Sequence, residues 1–393
     1  MTAELLLDAI SKPPVEGQPW TFADDEASRV AIHRLTTDEI KTLISRGAHL
    51  HSVSRIRKAL NQVNSLFARR DHALEMMVAC AIARVNMVFL GPPGTAKSLM
   101  VRSFCETMGV RPDSTPIANE GPLIDSARKQ GSNWVPPRRR LFEYLLTRYT
   151  TPEELFGAID IDLMLQAGTH GRRSQGMLPQ AEVAFLDEIF KANNAILNAL
   201  LSITNERIFY NMGQAFRVDL AFVVGASNET PDEDELGALY DRFPIRVPCK
   251  RVDSSELESV IAKSHQFANL KLPARIACLN DIRFLSRVVM VGVYGGENVF
   301  PENTSFRKEF MEMLLTLRDG YSISDRTPAQ LVRISRSLAL LEHGGPADHL
   351  SASHLRCFGY LSQKMDNAFE LQRLVHSRIG RLDSTAVDLF DEV

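Results

Sequence analysis

The 393-residue sequence is poor in the features that mark several protein classes. Its five cysteines, Cys80, Cys105, Cys249, Cys278 and Cys357, are far apart and odd in number. No CxxC pair occurs, which argues against a zinc knuckle or a disulfide framework and for reduced thiols in a cytoplasm. No apolar run approaches the roughly 18 residues that would suggest a membrane-spanning helix. Residues 1–10 carry Glu4 and Asp8 and no basic segment, so they do not read as a signal peptide. Neither sign of charge dominates: 45 Lys and Arg stand against 48 Asp and Glu, a net charge of -3. That balance predicts neither bulk nucleic-acid binding nor membrane-surface binding, though it leaves room for a local basic patch. Repeats, low-complexity tracts and heptad runs are missing too, so solenoids and coiled coils are not expected.

What is present is enough apolar material, 45% of residues, for two or three compact domains. One stretch carries obvious chemistry. The apolar-leaning run 86–90 leads into Gly91-Pro92-Pro93-Gly94-Thr95-Ala96-Lys97-Ser98, and a helical segment from Leu99 to Met108 leads out. Strand, glycine-rich loop and helix form the setting in which backbone N–H groups cradle phosphates. Gly91 and Gly94 let the chain curl; Lys97 would reach the β- and γ-phosphates, and Ser98 would offer its hydroxyl to Mg²⁺. The positive helix end at Leu99 adds to the same pull on an anion. Ala96 departs from the usual glycine before the lysine.

A second segment, Ala181-Glu182-Val183-Ala184-Phe185-Leu186-Asp187-Glu188, is a short apolar strand ending in two carboxylates. At the carboxyl end of a parallel strand such groups meet the phosphate crevice. There Asp187 would join the Mg²⁺ shell and Glu188 would orient or deprotonate water in line with the γ-phosphate. A further strand from Leu220 runs into Gly225-Ala226-Ser227-Asn228, where Asn228 could bond the attacking water or the γ-phosphate.

Around these segments the chain reads as follows. Residues 1–50 form an accessory segment, with Trp20 and Phe22 either docking on the main body or lying in a loose arm. Helices are expected over 54–67 and from Asp71; Phe67 or His72 could touch a base, or simply pack. Residues 109–140 are an irregular insert holding Arg128, Lys129, Trp134, Arg138, Arg139 and Arg140. That cluster could contact nucleic acid by charge and stacking, or be a solvated loop or subunit contact. Residues 141–148 read as helical, and Thr151-Pro152-Glu153-Glu154 opens another helix. Residues 207–218 read as a β-hairpin and 245–248 as a strand. From Arg251 onward the chain is helical, with helices over 257–267, 281–291, 306–317, 329–341, from Ser351 to Leu361, and over 367–379.

Taken together, Gly91 to Ser98, Leu186-Asp187-Glu188, Gly225 to Asn228, Tyr240-Asp241-Arg242 and Ser324-Asp325-Arg326 resemble an AAA+ ATPase. The strings Phe142-Glu143-Tyr144-Leu145-Leu146-Thr147-Arg148-Tyr149, Thr151 to Gly157, Leu186 to Ala192, Ile196 to Leu201 and Thr204-Asn205-Glu206-Arg207 are similar to the MoxR family. Within it they resemble the regulatory ATPase variant A subgroup, over residues 55–362. The resemblance implies an α/β fold, an αβα sandwich on a parallel sheet, with an all-helical lid. It places the nucleotide domain at 51–250 (insert 109–140, hairpin 207–218), the lid at 251–362 and a helical tail at 363–393. It implies ATP and Mg²⁺ as cofactors, with residues 91–99 including Leu99 holding the nucleotide. It makes Asn228 a sensor of the γ-phosphate, Arg242 the arginine finger for a neighbouring copy (Arg246 as fallback) and Arg326 a second sensor on the lid. It implies a ring, commonly hexameric, in the cytoplasm, that remodels partner proteins, often ones with a von Willebrand factor A domain. A nucleic-acid-directed motor using 128–140, or a scaffold with little turnover, are the competing readings. The insert 109–140 is longer than expected for that subgroup, and 1–50 look additional. That subgroup's large C-terminal partner-binding region is not expected here, and no partner is carried over from it.

Overall fold

The structure is a computed structural model. It describes residues 26–110, 140–168, 170–229, 241–269, 276–294, 305–318, 320–321, 323–344, 350–362 and 365–382. Trp20, Phe22, Trp134, the basic residues 128–139 and Tyr240 lie outside the described residues.

Five parallel strands form the central sheet: β1 (Met87–Leu90), β2 (Leu141–Leu145), β3 (Val183–Asp187), β6 (Phe222–Ser227) and β7 (Ile245–Pro248), ordered β2-β3-β6-β1-β7. β4 (Ile208–Asn211) and β5 (Gln214–Arg217) make the separate hairpin. Its turn, Met212-Gly213, has positive φ at both residues, 54° and 71°, the twist that suits a two-residue hairpin loop. The central strands are buried on both faces, as parallel strands covered by helices must be. Their side chains alternate between two cores. Met87, Phe89, Val183, Phe185, Phe222 and Val224 point into one; Val88, Leu90, Ala184, Leu186 and Val223 point into the other.

The first core is large. It takes in α1 (Glu26–Arg34), α2 (Thr37–Ser45), α3 (Ala48–Asn64), α4 (Asp71–Ala83) and α5 (Lys97–Thr107). It also takes in α10 (Leu279–Tyr294), α11 (Ser305–Arg318), α12 (Thr327–His343), the 3₁₀ stretch Ala352–Tyr360 and α13 (Met365–Leu382). The opposite face is covered by α6 (Pro152–Phe156), α8 (Asn194–Leu201) and the root of the hairpin, with α7 (Ile161–Ala167) set before β3. α9 (Leu257–Asn269) follows β7. The starts of α2 and α6 are fixed by capping boxes, Thr36 with Glu39 and Thr151 with Glu154, each satisfying two backbone N–H groups otherwise left bare.

Two segments differ from their sequence reading. Residues 141–148, expected as helix, contain β2, in register with β3 through Leu141↔Val183 and Leu145↔Asp187. Leu141, Leu145 and Arg148 fit helical spacing, but sheet pairing wins because Leu141 and Phe142 send their side chains into opposite cores. The helix expected from Ser351 is a 3₁₀ stretch. The five cysteines are buried, and none is joined in a disulfide among the described residues. Among the described residues no helix is long and apolar enough to cross a membrane.

Candidate nucleotide site

The strand order sets β3, β6 and β1 side by side, so the residues just past their carboxyl ends converge. Those residues are Asp187 and Glu188, Asn228, and the loop 91–96. Gly91 sits at φ 155°, and a Cβ built there would lie 2.1 Å from the Cys249 carbonyl oxygen, so the loop can leave β1 only through glycine. Gly94, at φ 82°, faces open space. Ala96 takes φ 64°, ψ 22°, the left-handed region, and caps α5. Thr95 donates to Pro92 O at 3.0 Å and stiffens the loop.

Lys97 is 8% exposed, and its Nζ donates to Gly91 O (2.6 Å), Pro92 O (3.1 Å) and Asn228 Oδ1 (2.8 Å). Burial lowers its pKa, while Cys249, Asp187 and Glu188 hold it up. Asn228 Nδ2 in turn donates to Glu188 Oε1. Lysine, asparagine and glutamate are thus one hydrogen-bonded series across three strand ends. Glu188 is held at φ 53°, ψ 42°, an unusual position for a residue with a side chain, and 7% exposed. Lys191 Nζ lies 3.3 Å from Glu188 Oε2. Sequence reasoning gave Lys191 no role, although its i+3 spacing from Glu188 was there to be used.

Asp187 accepts the Glu188 backbone N–H at 3.0 Å. Burial pushes its carboxyl pKa up, and neighbouring Glu188 adds to the rise against that hydrogen bond and Lys97. Two adjoining carboxylates short of water, with the half-buried Ser98 on the second residue of α5, are a hard-oxygen donor set that fits Mg²⁺. Lys97, whose three partners are neutral oxygens, is likewise fitted to trade them for phosphate.

Beside the loop lies a cleft of about 410 Å³, lined by Phe67, Pro93, Gly94, Thr95, Ala96 and Leu99 together with Leu257, Val260 and Lys263 of α9. Lys263 Nζ donates to Phe67 O, closing the far wall. Of the two residues considered for base contact, Phe67 lines the cleft and His72 does not. Arg242 lies apart from the loop. Its Nη1 pairs with Asp241 at 3.2 Å, and no bond among the described residues joins it to Lys97, Asn228 or Glu188. Arg246 is 6% exposed and donates to Leu361 O at 2.9 Å inside its own chain. Arg326 is exposed where α12 begins, with no bond to the loop among the described residues.

A second group of ligand type, Glu342, His343 and His354, has donor atoms within 4.8 Å of one another. His354 Nδ1 accepts the Ser351 N–H at 2.9 Å, so the ring proton is on Nε2, which donates to Glu342 Oε2 at 2.9 Å. Arg356 takes the other carboxylate oxygen. Glu342 and His354 thus form a hydrogen-bonded tie between α12 and the 3₁₀ stretch.

Known proteins share this architecture. A protein of Cytophaga hutchinsonii, solved by crystallography and described as a "putative ATPase", superposes with TM-score 0.59 at 14% identity, over 85% of this chain and 96% of that one. At that identity the likeness concerns the fold: a parallel-sheet α/β core of AAA+ type. Two uncharacterized proteins of Methanocaldococcus jannaschii are closer in sequence. One is 31% identical over 303 residues, 77% of this chain and 70% of the relative. The other is 38% identical over 207 residues, 53% of this chain and 46% of the relative, so the chain spans less than half of it. A structural protein of Acidianus two-tailed virus is 33% identical over 107 residues, 27% of this chain and 17% of that one. The family described as the MoxR domain of MoxR-vWA-beta-propeller ternary systems matches residues 54–113 and 131–287, which span the loop, Asp187, Glu188, Asn228 and Arg242. The chain belongs to the MoxR family of AAA+ ATPases, as a MoxR domain of the kind found in those ternary systems.

Proposed function

We propose that the chain hydrolyses ATP with Mg²⁺ at this site, between copies arranged in a ring, and uses the cycle to remodel a partner protein. The observation that carries the reading is the Lys97–Asn228–Glu188 series, which links a phosphate-loop cation to a strand-end carboxylate through one amide. In this reading the loop 91–96 and Leu99 hold the nucleotide and Lys97 Nζ turns from the loop carbonyls to the phosphates. Asp187 and Ser98 would hold Mg²⁺, which would supply positive charge to offset that of the phosphates. Glu188 Oε1, released from Asn228, accepts the proton of the attacking water, and Asn228 Nδ2 turns to the γ-phosphate. Lys191 balances Glu188 while it waits. Arg242 serves as the finger toward a neighbouring copy; the burial of Arg246 supports Arg242 over it. Arg326 is assigned to sense the nucleotide when the helical part closes.

The partner is proposed as a von Willebrand factor A protein, because the matching family is described from systems that contain one. The finer likeness to the regulatory ATPase variant A subgroup rests on the strings between 142 and 207. A cytoplasmic setting agrees with five buried cysteines, none of them in a disulfide among the described residues. Glu188→Gln tests the central step. It should bind ATP as the parent does and lose turnover by at least about 100-fold, the lower end of the range for a lost general base. Hydrolysis at the parental rate would remove Glu188 from the mechanism.

A further inference from the structure

The amino ends of the strands, opposite the nucleotide site, carry a second charged cluster. Arg84 closes α4 just before β1, Glu182 precedes β3 and Asp219 precedes β6. Helix α10 lays Arg283, Ser286 and Arg287 across that end, and α1 adds Arg29 and His33. A cavity of about 20 Å³ opens among His33, Arg84, Asp219, Arg283, Ser286 and Arg287.

The charges there do not balance among the described residues. Asp219 lies 3.2 Å from Arg283 Nη2 and 3.4 Å from His33 Nε2, and it also pairs with Arg29. Glu182 pairs with Arg140 and, at 2.9 Å, with Arg283. Both carboxylates are committed. Arg84 and Arg287 form no ion pair among the described residues. Arg287 Nη2 donates to Leu35 O, while its Nε is buried without a partner. Ser286 is 4% exposed, lines the cavity, and its hydroxyl has no partner among the described residues. Cations crowded in this way, beside an orphaned buried hydroxyl, call for an anion that can accept several hydrogen bonds at once.

We propose that this cavity is an anion site for a tetrahedral oxyanion of phosphate type, held by Ser286 Oγ, Arg287 Nε and Arg84. The cavity admits one atom of water size. One oxygen sits inside on Ser286 and Arg287, and the remainder stays at the mouth, where Arg84 is exposed. Because α1, α4, α10 and the strand ends meet at this point, an occupied site fastens the amino-terminal helices to the sheet. Occupancy therefore raises the unfolding midpoint by mass action. The site is separate from the phosphate loop and does not depend on the ATPase reading.

The test uses the full chain with its nucleotide site saturated by a non-hydrolysable ATP analogue and Mg²⁺, so that the loop cannot report. Radiolabelled inorganic phosphate is followed by equilibrium dialysis, and Tm is measured in phosphate, acetate and chloride at equal ionic strength. The expected result is one phosphate per chain and a Tm raised by phosphate above both other anions. Ser286→Ala and Arg84→Gln should each weaken phosphate about tenfold or more and leave analogue binding unchanged. Absence of bound phosphate once the nucleotide site is filled would overturn the site. So would an equal Tm in all three anions, or unchanged phosphate affinity in Ser286→Ala.

Discussion

Ala96 shows how one side chain is tolerated where glycine is usual. A left-handed φ of 64° costs an L-residue about 1–2 kcal/mol, because Cβ crowds the following carbonyl. Ala96→Gly removes that crowding but frees the unfolded chain, so the net gain is about 1 kcal/mol. Urea unfolding should show a raised midpoint with an unchanged slope; a lowered midpoint would mean that the alanine methyl packs better than its strain costs. Glu188 carries the same strain, φ 53°, and there it aims a carboxylate at Asn228. The residues of the site were legible because loop, acidic pair and asparagine each follow an apolar run. Their conformational reasons were not. Gly91 reads as a phosphate-cradling glycine, yet it is also required by the Cys249 carbonyl, which lies 158 positions further along the chain (249 − 91 = 158). Nothing local announces a contact of that range.

Helices α1 to α3 show the same limit for larger pieces. Thr36 and Glu39 cap α2, and Ile40 and Leu43 give it an apolar face, but nothing in those residues says what the face meets. In the structure Ile32, Leu35, Ile40 and Leu43 enter the same core as α10 and the sheet. Over five residues an edge strand and one amphipathic turn of helix look alike in sequence, and only pairing with β3 marks 141–145 as β2. The packing of α3 has a measurable consequence. His49 is 4% exposed, and burial lowers its pKa below 6.5, opposed by the Gly344 backbone. Above pH 6.5 both folded and unfolded chains hold the ring neutral, and the group adds no pH dependence. As pH falls below 6.5 the unfolded chain takes the proton first, so stability drops, by up to about 1.4 kcal/mol per pH unit until the folded pKa is reached. His49→Leu should flatten that part of the curve of unfolding free energy against pH. An unchanged slope between the two proteins would assign the acid sensitivity elsewhere.

Arg242 raises the question of how many chains make one site. Its side chain is one-fifth exposed and, among the described residues, pairs with Asp241 and makes no bond to Lys97, Asn228 or Glu188 of its own copy. Its backbone, by contrast, is fixed. Asn86, the residue before β1, donates from Nδ2 to Arg242 O at 3.1 Å and to Thr204 O at 3.2 Å, where the hairpin segment begins. Arg207, at the hairpin root, reaches the Asn86 Oδ1 at 3.4 Å. The strand that leads into the phosphate loop, the hairpin and the proposed finger are therefore pinned to one amide. If Arg242 completes the site of a neighbour, removing it should lower turnover about 10³-fold or more, with ATP binding retained. Glu188→Gln should be as inactive for a different reason. Mixed in one ring, the two variants should regain activity, because some interfaces then join an intact Glu188 to an intact Arg242. Restored turnover on mixing, with co-assembly checked by size and mass, is the result that two defective copies can give only if the site is shared. If co-assembled mixtures stay inactive, Arg242 acts within its own chain and the ring loses its catalytic role.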